Sequence, residues 1–437
     1  NSGGTATQAN AMTPLEPITV LSTHPERPAV SRGGCRLDAL IRLNAPPLAA
    51  SADEPRRPVA IAVVIDRSGS MAGPKLKAAC AAAQQLVRLL TPADRLSVIS
   101  FDNTVRTVVP LSAPSKEAIS AIARIRSGGQ TALFDGWQRG METLLQTPGI
   151  DSHQKRVLVL TDGQANVGLR HPLEVAPVVG LANEHAISTS CIGLGEDYEE
   201  RLLTAMAEAG AGNLVHLTAP QQLEAVFVAE LEGLNLTQGR DLRLRIRTSQ
   251  GVRLAEIHNP LEPDAAGWIR LGAIQAGLTP SLAVQLEVGP DDAAEEQVRD
   301  LLTVEAQWLT ADGEPQQLEA LLRLPVVERE QWDALPVDPD VQREVVLQQA
   351  AKQRGLAMQG IDDGDEVRIS YSVMAAMHRL DQAQSSPEID QERRLLEEVL
   401  DLISTNKLSL ARKVMGTQAF MRARGRKLRD QEGRDAL

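Results

Sequence analysis

Asp66, Ser68 and Ser70 stand at alternate positions near the end of Val59–Met71 (VAIAVVIDRSGSM), a segment whose first half is apolar and rich in β-branched residues. A carboxylate and two hydroxyls are hard oxygen donors. One anionic ligand with neutral ones suits Mg²⁺, and less strictly Mn²⁺ or Ca²⁺. Alternate residues point the same way, so three side chains spaced by two can face one ion. Gly69 eases the turn they sit on. Taken alone, the same residues read equally well as a polar turn closing a strand buried on both faces.

Two further segments add to the pattern. Arg156–Leu160 (RVLVL) is a second buried-strand run, and it too ends in a polar turn, Thr161-Asp162-Gly163. Between the two lies Ser127-Gly128-Gly129-Gln130-Thr131-Ala132, a glycine-bearing loop ahead of a helical pattern. Loops that follow parallel strands or open helices meet at the carboxyl edge of an α/β sheet, where such folds bind ligands. Asp-x-Ser-x-Ser, then a Thr loop, then Asp-Gly resembles the von Willebrand factor type A (VWA) family and its metal-ion-dependent adhesion site, with Asp66, Ser68, Ser70, Thr131 and Asp162 filling the five positions.

The resemblance implies that the serines bind the ion directly, that Thr131 binds directly or through water, and that Asp162 acts through a water. It also implies an open coordination position that takes an Asp or Glu carboxylate from a partner protein. Asp102 and Asp135 are further carboxylates expected near this rim. A charge in the first turn of a helix explains Asp135 as well as a metal role does. Met71 is expected to pack in the core or at the rim, and His153 and His171 to sit on exposed loop ends.

The elements that position these residues alternate between strand and helix from 58 to 235. Strands are expected at Val59–Ile65, Arg95–Phe101, Val105–Pro110, Arg156–Leu160, Ile187–Ile192 and Leu214–Leu217. Helices are expected at Pro74–Leu90, Lys116–Ile125, Leu133–Leu145, Leu173–Glu184, Glu199–Ala209 and Pro220–Leu234. A hairpin through Asp102-Asn103-Thr104 adds one antiparallel edge to a doubly wound, Rossmann-like sheet. The resemblance implies the strand order 3-2-1-4-5-6. From 236 to 335 short runs separated by Gly, Pro and Asp predict a β-sandwich. Leu37–Leu43, within residues 16–57, has the same texture, so the α/β domain is expected to be inserted in that sandwich. From 336 to 437 the periodicity is helical: Val341–Met358, Asp365–Ala383, Glu388–Ser404 and Leu408–Arg424, with breaks at Gly360-Ile361-Asp362 and Ser385-Ser386-Pro387. The chain thus reads as multidomain: α/β, all-β and helical.

Composition narrows the partners. The 437 residues are too many for one core, and with aromatics at 2% the cores must be built from Leu, Val, Ile and Ala. A net charge of −12 disfavours nucleic acid or an anionic membrane as main partner. The terminal Arg422, Arg424, Arg426, Lys427 and Arg429 read as a solvated helix end. Cys35, Cys80 and Cys191 are expected as buried free thiols. No run reaches the ~18–20 apolar residues of a membrane span. Residues 1–15 read as a tail or expression remnant, with Met12 as a native start. The cytoplasm is the expected compartment, with secretion or anchoring the alternative if a leader or anchor has been trimmed.

A protein-binding role, not an enzymatic one, is therefore expected, with Mg²⁺ as the ion. The rivals are a metal-dependent phosphoester hydrolase and an accessory subunit of an ATPase or membrane machine. Against hydrolysis, the turn lacks a second Asp two residues after Asp66. Neither a G-x-x-x-x-G-K-[ST] loop nor a G-x-S-x-G elbow is present.

Overall fold

The computed structural model describes residues 19–45, 56–290, 298–423, 428–429 and 435–436, with side chains up to residue 416. The expected tail at 1–15 and the side chains of the basic tail lie outside the described residues.

The chain opens with β1 (Val20–Pro25), β2 (Val30–Ser31) and β3 (Cys35–Asn44), followed by an α/β unit. In order this unit holds β4 (Val59–Asp66), α1 (Pro74–Leu89), β5 (Arg95–Phe101), β6 (Val105–Ser112), α2 (Lys116–Ile122), α3 (Leu133–Gln146), β7 (Gln154–Thr161), α4 (Pro172–Glu184), β8 (Ile187–Leu194), α5 (Glu200–Ala209), β9 (Ala211–Leu217) and α6 (Leu223–Asn235). The sheet order is β6-β5-β4-β7-β8-β9, all parallel except the β5–β6 hairpin.

Every residue of β4 is buried, and its alternation divides two cores. Val59, Ile61, Val63 and Ile65 face Leu76 and Leu86 of α1 and Phe227 of α6. Ala60, Ala62 and Val64 face Trp137 of α3 and Leu202 of α5. Helices cover both faces of β4, and its side chains are apolar up to Asp66, where the strand ends. Helix α3 crosses this strand closely. A Cβ on Gly136 would come within 2.7 Å of the Phe101 ring, and one on Gly140 within 3.0 Å of Val64. That approach fixes the loop preceding α3 against the carboxyl end of β4.

Leu236 alone separates α6 from β10 (Thr237–Thr248), which is followed by β11 (Val252–Ile257), β12 (Trp268–Gln275), β13 (Ser281–Val288), β14 (Val298–Thr310) and β15 (Pro315–Val327). Two sheets result, β1-β3-β13-β11 and β12-β10-β14-β15-β2. Strand β3 pairs antiparallel with β13, Leu37 opposite Leu286, so strands on either side of the α/β unit in sequence share one sheet. They also share one core, in which Leu37, Ile41 and Leu43 meet Leu242, Leu282 and Leu302.

The helices α7 (Arg329–Ala334), α8 (Pro339–Asp363), α9 (Glu366–Asp381), α10 (Pro387–Ser404) and α11 (Leu408–Ala423) complete the chain. Val341 and Val345 of α8 pack on Leu40 of β3 and Ala283 of β13, covering the outer face of that sheet. Helix α11 reaches the α/β unit. There the Lys413 ammonium donates to the Glu196 carbonyl and lies 4.1 Å from the Tyr198 ring centroid, and Arg412 pairs with both Glu200 and Asp362.

Some expectations need correction. The helix expected to break at Gly360-Ile361-Asp362 runs to Asp363 and stops at Gly364, whose φ of +69° is the left-handed conformation of a helix C-cap. Within 16–57, expected to supply strands to the sandwich, the ranges of β1 and β2 have no individual counterpart in the sequence pattern; helix α7 is a further element, and α2 ends at Ile122, short of Ile125. The three cysteines are free, but only Cys191 is buried; Cys35 and Cys80 are half-buried. Among the described residues no helix is long and apolar enough to cross a membrane.

Candidate metal centre

The five expected residues come from three loops at the carboxyl edge of the sheet, and the structure brings them together there. Asp66 ends β4 with no exposure to solvent. The Ser68 amide donates to its Oδ1 (2.7 Å) and the Thr161 hydroxyl to its Oδ2 (2.6 Å). The Ser68 and Ser70 hydroxyls are 3.1 Å apart, and Ser70 donates to Asp162 Oδ1 at 2.7 Å. A Cβ built on Gly163 would lie 3.3 Å from Ser70 Oγ and 3.7 Å from Thr131 Oγ1, so both hydroxyls face one small space beside that glycine.

The loops are tied to each other by their backbones. The Gly69 amide donates to the Gly129 carbonyl and the Gly128 amide to the Arg67 carbonyl. The Thr131 amide donates to Asn166 Oδ1, while the Asn166 amide donates back to the Thr131 carbonyl. Gly129 has φ +77°, and a Cβ there would strike Asp102 and Asn103. The threonine loop therefore lies directly on the β5–β6 turn.

Asp162 is as buried as Asp66. Burial, aided by repulsion from Asp162, pushes the Asp66 carboxyl up to about 6 against the hydrogen bonds from Thr161 and Ser68. Two carboxylates and three hydroxyls held this way are the oxygen-only donor set that Mg²⁺ or Mn²⁺ accepts. Among the described residues no three His, Cys, Asp or Glu side chains gather as a metal site.

The other candidates have separate explanations. Asp102 pairs with Arg67 at 2.6 Å and accepts from the Thr104 amide and hydroxyl, which makes it a brace for the turn. Asp135 faces Gly168. Met71 is wholly buried in the core beneath α1. His171 is exposed ahead of α4, whereas His153 is half-buried and bonded to the Ala93 carbonyl at the far end of the sheet.

Two participants escaped the sequence reading. Thr161 orients Asp66. Lys75, in the first turn of α1, bonds Asp162 Oδ2 at 2.5 Å. Its signal was a cation at a helix N-terminus, where the macrodipole favours a carboxylate and the first turn of α1 holds none.

The family model of the von Willebrand factor type A domain matches residues 60–228. This stretch is a VWA domain. An uncharacterized protein of Synechocystis is 29% identical over 184 residues, covering 41% of this chain and 43% of that protein. Inter-alpha-trypsin inhibitor heavy chain H4 of Bos taurus is 31% identical over 168 residues, covering 36% and 18%. The chain spans less than half the length of these curated relatives. A solved structure, von Willebrand factor type A from Catenulispora acidiphila, superposes over 93% of this chain and 98% of its own with a TM-score of 0.67 at 18% identity. The likeness in fold thus extends beyond the VWA domain to the strands and helices around it.

Proposed function

We propose that the chain is a metal-dependent protein-binding module, with Asp66, Ser68, Ser70, Thr131 and Asp162 holding one divalent cation, Mg²⁺ first and Mn²⁺ or Ca²⁺ as substitutes. The carrying observation is the convergence of Ser68, Ser70 and Asp162 through hydroxyl contacts of 2.7–3.1 Å beside a wholly buried Asp66. When bound, the ion supplies an electrophilic centre for a partner's Asp or Glu carboxylate. The chain's own residues do the rest. Thr161 and the Ser68 amide keep Asp66 aimed, the Asn166 bonds keep Thr131 in register, and the burial of both carboxylates limits competition from water. The same bonds occupy both oxygens of Asp66, which disfavours its use as an attacking nucleophile in a hydrolase.

In this reading the VWA domain is inserted between β3 and β10 of a β-sandwich that carries it, and the C-terminal helices brace both. The domain boundaries are then 16–57 and 236–335 for the sandwich, 58–235 for the VWA domain and 336–437 for the helices. The continuous core shared by strands before and after the VWA domain supports this.

The test is partner capture from native lysate in Mg²⁺ and in EDTA, with wild type and Asp66→Ala. A specific partner should be retained only by wild type in Mg²⁺. Equal capture under all four conditions would exclude the metal face as the recognition surface.

A further inference from the structure

Lys75 is the only cation hydrogen-bonded to this cluster among the described residues, and it is bonded to a carboxylate that has no exposure of its own. Its ammonium holds Asp162 Oδ2 while Ser70 holds Oδ1, so both oxygens of Asp162 are engaged before any ion arrives. The lysine side chain is about a third exposed and comes to the cluster from the rim. It passes beside Gly195, whose absent Cβ would lie 3.8 Å from Nζ.

Charge counting gives this contact a consequence. A dication among two carboxylates alone would form a neutral group with little pull on another anion. With the lysine ammonium included, the same group carries one net positive charge. The lysine therefore acts with opposite signs on two events. It repels the incoming metal and occupies one of its two carboxylates, and it leaves the loaded site attractive to a carboxylate from outside.

We propose that Lys75 is a specificity-determining residue of this centre, weakening its hold on the metal and strengthening the loaded centre's hold on an external carboxylate. This rests on the metal reading above. The lysine's cost at a helix N-terminus fits such a role, since a purely structural cap there would be an acidic or neutral side chain.

The experiment uses the full chain as wild type, Lys75→Met and Lys75→Arg. Mn²⁺ binding is followed by water-proton relaxation enhancement, and acetate is then titrated into each Mn²⁺-loaded protein at constant ionic strength. Lys75→Met should bind Mn²⁺ about three- to fivefold tighter and acetate about three- to fivefold more weakly, the upper part of the range for a partly exposed ion pair. Lys75→Arg should stay near wild type in both. Thermal unfolding of the metal-free proteins separates these effects from loss of fold. Lys75→Met affinities that both stay within twofold of wild type, or that move together, would overturn the role given to Lys75 and leave the metal reading intact. Absence of Mn²⁺ uptake by folded wild type would overturn both.

Discussion

Strand β7 carries a buried charged cluster at each end, and the two are built on different terms. Near its start, Arg156 donates to Glu230 of α6 at 2.7 Å and to the Ser188 hydroxyl at 3.0 Å. Asn213 fills the other oxygen of Glu230 at 2.6 Å. This group is neutral and closed. At the far end, Lys75 pairs with Asp162 while the buried Asp66 has no cation bonded to it among the described residues, and the Ser68, Ser70 and Thr131 hydroxyls lie about this surplus negative charge. The first arrangement spends its polar atoms on each other. The second leaves donor oxygens converging on a charge that the protein does not balance. Such an imbalance opposes folding unless something else compensates it, and that makes it the mark of a binding site.

Breaking the closed cluster should have the largest effect on stability. Arg156→Met leaves Glu230 buried without its cation and should cost about 3–5 kcal/mol, read from urea unfolding followed by Trp fluorescence, with Mg²⁺ binding retained in the folded protein. Asp66→Ala should do the reverse. Calorimetric Mg²⁺ binding should be lost while the unfolding midpoint without metal is held or raised, because the variant removes an uncompensated buried charge. If Asp66→Ala unfolds the protein as badly as Arg156→Met does, the contrast between the two clusters fails.

Acidity should distinguish them as well. The folded Asp66 carboxyl is pushed up to about 6, above its ordinary 3.8. The fold therefore binds that proton more tightly than the unfolded chain does. Its ionisation works against the metal-free fold in full above pH 6; that penalty fades as pH falls from about 6 to about 4 and is gone below that. A bound ion needs the ionised form, so the rise in melting temperature produced by Mg²⁺ at pH 7.5 should shrink at pH 5. An unchanged Mg²⁺ shift at pH 5 would remove Asp66 from the ligand set. The smallest effect is expected from Thr131→Ala, which takes away one neutral oxygen and no charge. Mg²⁺ affinity should fall by about fivefold, the equivalent of about 1 kcal/mol, again by calorimetry.

Much of this was legible because β4, and β7 from Val157 to Leu160, run apolar to their carboxyl ends, so the polar residues that follow had to lie at the sheet edge. The strand order followed from alternation together with the family resemblance. What escaped depended on contacts between distant residues. Gly360 looks like a helix breaker, yet it sits inside α8 because a Cβ there would lie 2.9 Å from Ile369 of α9. Strand β1 includes Ser22, Thr23, His24 and Pro25 and has no apolar alternation; its pairing with β3 is what makes it a strand. Lys75 has no oxygen to offer a metal, and only its contact with Asp162 across the fold ties it to the cluster.

The join between α6 and β10 has a mechanical consequence. With only Leu236 between them, and with the Gln275 side chain and the Ala276 amide bonded across to the Gly233 and Leu236 carbonyls, the VWA domain leaves for the sandwich with no slack. Helix α11 adds a second strut through Arg412 and Lys413. Under the proposed function, a tug on a partner held at the carboxyl edge would be carried through these two joins into the β-sandwich as tension, as through a bracket bolted at two points.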